Sequence, residues 1–134
     1  MNFKLSGLIF LLLVIAGTAA AQDNILKQEV VYKTINGVQL KADVYLTQTQ
    51  SENAKPAMAF FHGGGWAYGN PDEFKIACNR YARKGFVCFS IQYRLSITEN
   101  GHVPHPDISL IECVKDARSA MRWIRGQADH YGID

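Results

Sequence analysis

Residues 60–70, FFHGGGWAYGN, place three consecutive glycines and a tryptophan directly behind an apolar run. Glycine reaches φ > 0 at little steric cost and lets other atoms approach the backbone, but it loses the most conformational entropy on ordering. Such a triplet at the end of a strand has three meanings: a flexible linker, a phosphate cradle, or a loop whose N–H groups face a ligand. The flanking sequence decides among them.

Immediately upstream, Pro56–Phe61 (PAMAFF) is a short continuous apolar run. It predicts a strand covered on both faces. Downstream, Asn70 is a helix N-cap, Pro71 suits the first helical position and Glu73 completes a capping box. Phe74, Cys78 and Tyr81 then recur at helical spacing, and Gly85 ends the helix. Phe86–Tyr93 (FVCFSIQY) reads as the next strand. His102–Pro106 breaks the chain, after which Asp107 can cap a last helix. Leu110, Val114, Ala117, Met121, Ile124 and Ala128 form its apolar stripe, expected to pack on the core. Nearer the amino terminus, Glu29–Ile35 and Gln39–Leu46 are β-rich and flank Asn36-Gly37, a strong hairpin signal. A hairpin followed by strand–helix–strand–helix predicts an α/β fold, a parallel sheet with an antiparallel edge.

The chain of 134 residues opens MNFKLSGLIFLLLVIAGTAAAQDN. Lys4, the apolar Leu5–Ala16 and the A-x-A of Ala19–Ala21 predict a secretory signal peptide over residues 1–21, with the domain over 22–134. The expected location is therefore periplasmic or extracellular, with no stable membrane span once the leader is cleaved. Loss of Lys4 would lower the net charge from +2 to +1, a balance that argues against nucleic acid as a partner. Cys78, Cys88 and Cys113 are an odd count in an exported chain, so at least one lacks an intramolecular partner. No disulfide framework is expected, Cys88 reading as a small core residue, although a single bridge stays open.

The linker reading fails because structural signals crowd the glycines on both sides. A dinucleotide fingerprint needs G-x-G-x-x-G; Gly63 and Gly65 fit, but Tyr68 occupies the third glycine position. The P-loop pattern is also absent. An anion-facing loop remains. HGGGW behind a strand resembles the oxyanion loop of α/β-hydrolase esterases and lipases. KGFVCFSIQYRLS resembles the fourth strand and Tyr-Arg-Leu signature of the hormone-sensitive-lipase-like group. DARSAMRWIRGQADHYGID resembles the next helix there and in secreted carbohydrate esterases of the feruloyl and acetyl esterase type.

The resemblance covers roughly Glu29–Asp134 and implies an α/β-hydrolase fold: a mostly parallel sheet with an N-terminal antiparallel hairpin, first half only. It makes Gly64 and Gly65 the oxyanion-hole donors, with His62 and Gly63 holding the loop's shape. Trp66 either borders the substrate cleft or covers the loop. Tyr93 and Arg94 match a structural pair, and Asp116 an acidic helix position suited to charge pairing or hydrogen bonding. His102 and His105 form H-x-x-H but are too few to hold a metal; they read as solvated loop residues.

A hydrolase of this kind needs a serine in G-x-S-x-G, then an acid, then a histidine. Ser51, Ser90, Ser96, Ser109 and Ser119 lie in no such motif. The resemblance therefore implies that nucleophile, acid and base fall downstream of Asp134, and that this stretch alone is inactive. It further implies a serine hydrolase of carboxylic esters, acting on a small-molecule or carbohydrate ester without metal or organic cofactor. The alternative is a non-catalytic binding or interaction remnant of the same fold.

Overall fold

The computed structural model describes residues 24–48, 53–98 and 103–134; the signal-peptide reading and His102 fall outside them. Strands β1 (Ile25–Ile35) and β2 (Val38–Thr47) pair antiparallel around the Asn36-Gly37 turn. Both turn residues have positive φ, 48° and 78°. That is the mirror-image turn whose twist matches a hairpin. Between Val31 and Lys33 the register shifts. The extra residue, Tyr32, turns inward and donates its hydroxyl to the Gln92 carbonyl at 2.6 Å.

β3 (Ala57–Phe61) and β4 (Val87–Ile91) pair parallel, and the sheet order is β1-β2-β4-β3. Between them lie a 3-10 turn, Pro71–Phe74, and helix α1 (Lys75–Ala82). The predicted cap is present: the Asn70 side chain accepts from Asp72 N–H at 2.9 Å, and Glu73 Oε1 accepts from Asn70 N–H at 3.2 Å.

β4 separates two cores. Val87, Phe89 and Ile91 face α2 (Leu110–Gly126) and α3 (Ala128–Tyr131), packing with Leu40, Val44, Ile124 and Tyr131. Cys88 faces the other way, into a cluster with Tyr45, Cys78 and Ala82. Every β4 residue is buried, whereas β3 is half-exposed. The strand covered on both faces is thus β4, not Pro56–Phe61, because β3 stands at the edge of this sheet. Just before β3, Lys55 forms a parallel bridge with Ile133.

α2 departs from expectation in two ways. Its N-cap is Ser109, whose hydroxyl accepts from Glu112 N–H; Asp107 instead donates its N–H to His105 Nδ1 at 3.1 Å. Its buried face is Cys113, Asp116, Ala120 and Ile124. Of the expected stripe, Leu110, Val114 and Met121 are exposed. Ile124 of the stripe is buried, and Asp116, a charged residue, is held inside by its ion pairs to Lys33 and Arg94.

Candidate functional site

The glycine loop leaves the carboxyl end of β3 and returns through Asn70 into the 3-10 turn. Gly64 offers its carbonyl to Ala67 N–H at 3.0 Å and Tyr68 N–H at 3.3 Å. Gly64, Gly65 and Trp66 have φ of 102°, 60° and 61°. Among the described residues, no main-chain pairing engages the N–H of Gly64 or Gly65.

The three glycines are not equivalent. A Cβ on Gly64 would lie 2.0 Å from the Tyr68 carbonyl oxygen, so only glycine fits. At Gly65 the space is open and the demand is conformational. Gly63 has neither constraint. Gly69, which sequence reasoning passed over, is as restricted as Gly64: its φ is 109° and a Cβ would come within 2.3 Å of His62 Nδ1. Its position directly before the Asn70 cap was the available signal.

Trp66 is the unexpected member. A bulky L-residue in the left-handed region costs ~1–2 kcal/mol. It is held there because its carbonyl accepts from Ser96 N–H at 3.0 Å and Ile97 N–H at 3.1 Å. Its half-exposed indole borders a hollow of about 160 Å³ with Phe61, Tyr93, Cys113, Val114 and Ala117.

His62 is buried beneath the loop and stacks on Tyr93, centroids 4.3 Å apart at 12°. The Tyr93 hydroxyl donates to the His62 carbonyl at 2.6 Å. His62 Nδ1 lies 3.0 Å from the Gly63 carbonyl, a contact that assigns the ring proton to Nδ1. Burial pushes the Tyr93 phenol pKa up, so it remains a donor.

The segment that pins the loop is itself anchored by charge. Arg94 donates from Nε to Asp116 Oδ2 at 2.6 Å and from Nη2 to Asp116 Oδ1 at 2.9 Å. Lys33 Nζ reaches Oδ1 at 2.6 Å, and Arg94 also pairs with Glu112 at 3.1 Å. Asp116 is fully buried. Burial pushes its carboxyl up, but hydrogen bonds from Arg94 and Lys33 outweigh this and hold it below the ordinary carboxylate range. The same pairing, led by the Asp116 hydrogen bond, raises Arg94. Tyr93, Arg94 and Asp116 therefore have the structural parts the sequence assigned them. The reach of that network, from β1 through the post-β4 segment to α2, lies between residues 83 positions apart and was not visible in sequence.

His105 is half-buried, its main-chain N–H donating to the Ser96 carbonyl at 2.7 Å. Its side chain accepts from Asp107 N–H at 3.1 Å at the exposed edge of the loop.

The BD-FAE family model matches residues 42–134, a span containing the loop, its pins and the Arg94–Asp116 pair but not Lys33. The chain belongs to this α/β-hydrolase esterase family. Its fold is that of the solved esterases it resembles. The native structure of Est2, a thermophilic esterase from Thermogutta terrifontis, superposes with a TM-score of 0.69 at 32% identity, covering 81% of this chain and 36% of that one. The butyrate-bound form of the same enzyme gives 0.70 at 32%, covering 81% and 37%. Esterase LipC of Mycobacterium tuberculosis is 27% identical over 93 residues, 69% of this chain and 21% of the relative. Non-reducing polyketide synthase Preu6 of Preussia isomera is 30% identical over 109 residues, 80% of this chain and 5% of the synthase. The family member thus spans 36% of the first of these esterase structures and a smaller share of the curated relatives.

Proposed function

We propose that this family member supplies the oxyanion-loop half of an exported serine hydrolase acting on carboxylic esters, of a small molecule or a carbohydrate. One observation carries the reading. Among the described residues, the Gly64 and Gly65 N–H groups, at the carboxyl end of β3, are free of main-chain pairing while the loop around them is tied down. Donors fixed in advance stabilise charge that develops on a carbonyl oxygen, because nothing reorganises at the moment of reaction; one such donor is worth ~3 kcal/mol.

In the proposed reaction a serine attacks the acyl carbonyl and a histidine removes its proton. Gly64 and Gly65 N–H, with the N–H following the serine, receive the oxyanion. His62, Gly63 and Tyr93 keep the loop in shape, and Trp66 walls the cleft. The serine, histidine and acid come from outside residues 1–134, which alone are inactive. No cofactor takes part.

The test is hydrolysis of p-nitrophenyl acetate by the full-length gene product, together with labelling by a fluorophosphonate. Turnover with one covalent adduct per chain is expected. Failure of both removes the enzymatic reading and favours a binding remnant.

A further inference from the structure

Cys78 and Cys88 are both completely buried and share one cluster between α1 and the sheet. Alternation along β4 sends Val87 and Phe89 to the opposite core, so Cys88 is directed at α1. On α1 the buried residues are Cys78 and Ala82, one helical turn apart. The two thiols therefore meet in one buried cluster across the helix–sheet interface, and both are free thiols in this structure. Cys113 lies on α2, against the other side of the molecule, with its Sγ donating to the Ser109 carbonyl at 3.5 Å.

We propose that Cys78 and Cys88 are a disulfide-forming pair, closed by a disulfide-bearing oxidant as the chain folds, with Cys113 left as a thiol. This inference is independent of the esterase reading. In the folded chain neither sulfur is reachable, so closure precedes or accompanies docking of α1. A thiolate of the pair attacks the oxidant's disulfide, releasing one thiolate and leaving a mixed disulfide. The second cysteine displaces the oxidant's remaining sulfur. Two protein thiols lose two electrons and two protons, and one external disulfide becomes two thiols.

The bridge would fasten α1 to β4. Ser90, two residues along β4, already donates its hydroxyl to the Pro71 carbonyl at 2.7 Å. Together they would fix the exit of the glycine loop from both sides of the 3-10 turn.

The experiment is to dilute the reduced, urea-unfolded full-length gene product into a mixture of oxidised and reduced glutathione, once in buffer so that it folds and once in concentrated urea. Acid quenching, alkylation and peptide mass spectrometry then count the three possible pairs. A Cys78–Cys88 peptide dominating in buffer, with its ratio of bridged to reduced form at least tenfold that in urea and with Cys113 alkylated, is the expected result. An equal ratio of bridged to reduced Cys78–Cys88 in the two solvents, three alkylated cysteines in buffer, or a bridge involving Cys113 would each overturn the proposal. A Cys113→Ala chain must keep the bridge in buffer; its loss there counts equally against the pair.

Discussion

Replacing Asp116 by asparagine changes one buried oxygen into an N–H₂ group and leaves shape almost untouched. Four donor contacts converge on the carboxylate: Lys33 Nζ at 2.6 Å, Arg94 Nε at 2.6 Å, Arg94 Nη2 at 2.9 Å and Arg94 N at 3.3 Å. In Asp116→Asn one amide face is a donor set against donors, and two cations lose their counter-charge. Arg94 and Lys33 are only 11% and 20% exposed, so water replaces the lost partner poorly. Breaking a buried pair from one side costs ~3–5 kcal/mol. The surviving amide oxygen and the Glu112 contact place this case near ~3 kcal/mol, about a hundredfold in the unfolding constant. Urea unfolding of the full-length gene product at neutral pH measures it as a lower midpoint at unchanged slope. A difference under ~1 kcal/mol would refute the claim that this network holds the loop segment.

The same pair of proteins carries a pH signature. Asp116 is held below its unfolded value of ~3.9, so its stabilisation is complete above that pH. It is lost as pH falls through the lower folded value. Wild type and variant should converge on acidification below about pH 4. A gap that persists undiminished at the acid end would mean that the ionised carboxylate is not its source.

Three further outcomes follow from the site. Tyr93→Phe removes the 2.6 Å bond to the His62 carbonyl but keeps the ring stack; an unsatisfied carbonyl is worth ~1–2 kcal/mol, so kcat on p-nitrophenyl acetate should fall about tenfold with little change in KM. An unaltered kcat would remove Tyr93 as a positioning residue. Gly64→Ala should abolish fluorophosphonate labelling because its Cβ meets the Tyr68 carbonyl, whereas Gly65→Ala, in open space, should lose about tenfold or less through ~1 kcal/mol of backbone strain. Equal losses would contradict the geometry. Residues 22–134 expressed alone should bind the dye ANS and melt without cooperativity, since Leu110, Val114 and Met121 stand exposed near a half-exposed β3. A sharp monomeric melt would show that this surface needs no cover.

What could be read from the sequence was whatever close neighbours along the chain decide. Asn36-Gly37 specified its turn, Asn70-Pro71-Asp72-Glu73 its cap, and HGGGW its bend, because each depends on φ preferences and hydrogen bonds spanning a few residues. The resemblance carried by HGGGW, KGFVCFSIQYRLS and DARSAMRWIRGQADHYGID together was enough to reach the fold and the family. Burial was another matter. That α2 could bury Asp116 depended on Lys33 and Arg94, residues distant in sequence that neutralise it. The exposure of β3 depended on its edge position, and the left-handed φ of Trp66 on two N–H groups some thirty residues away. Those outcomes belong to the tertiary structure, since charge pairing and solvent exclusion act between whatever surfaces folding brings together, irrespective of their order along the chain.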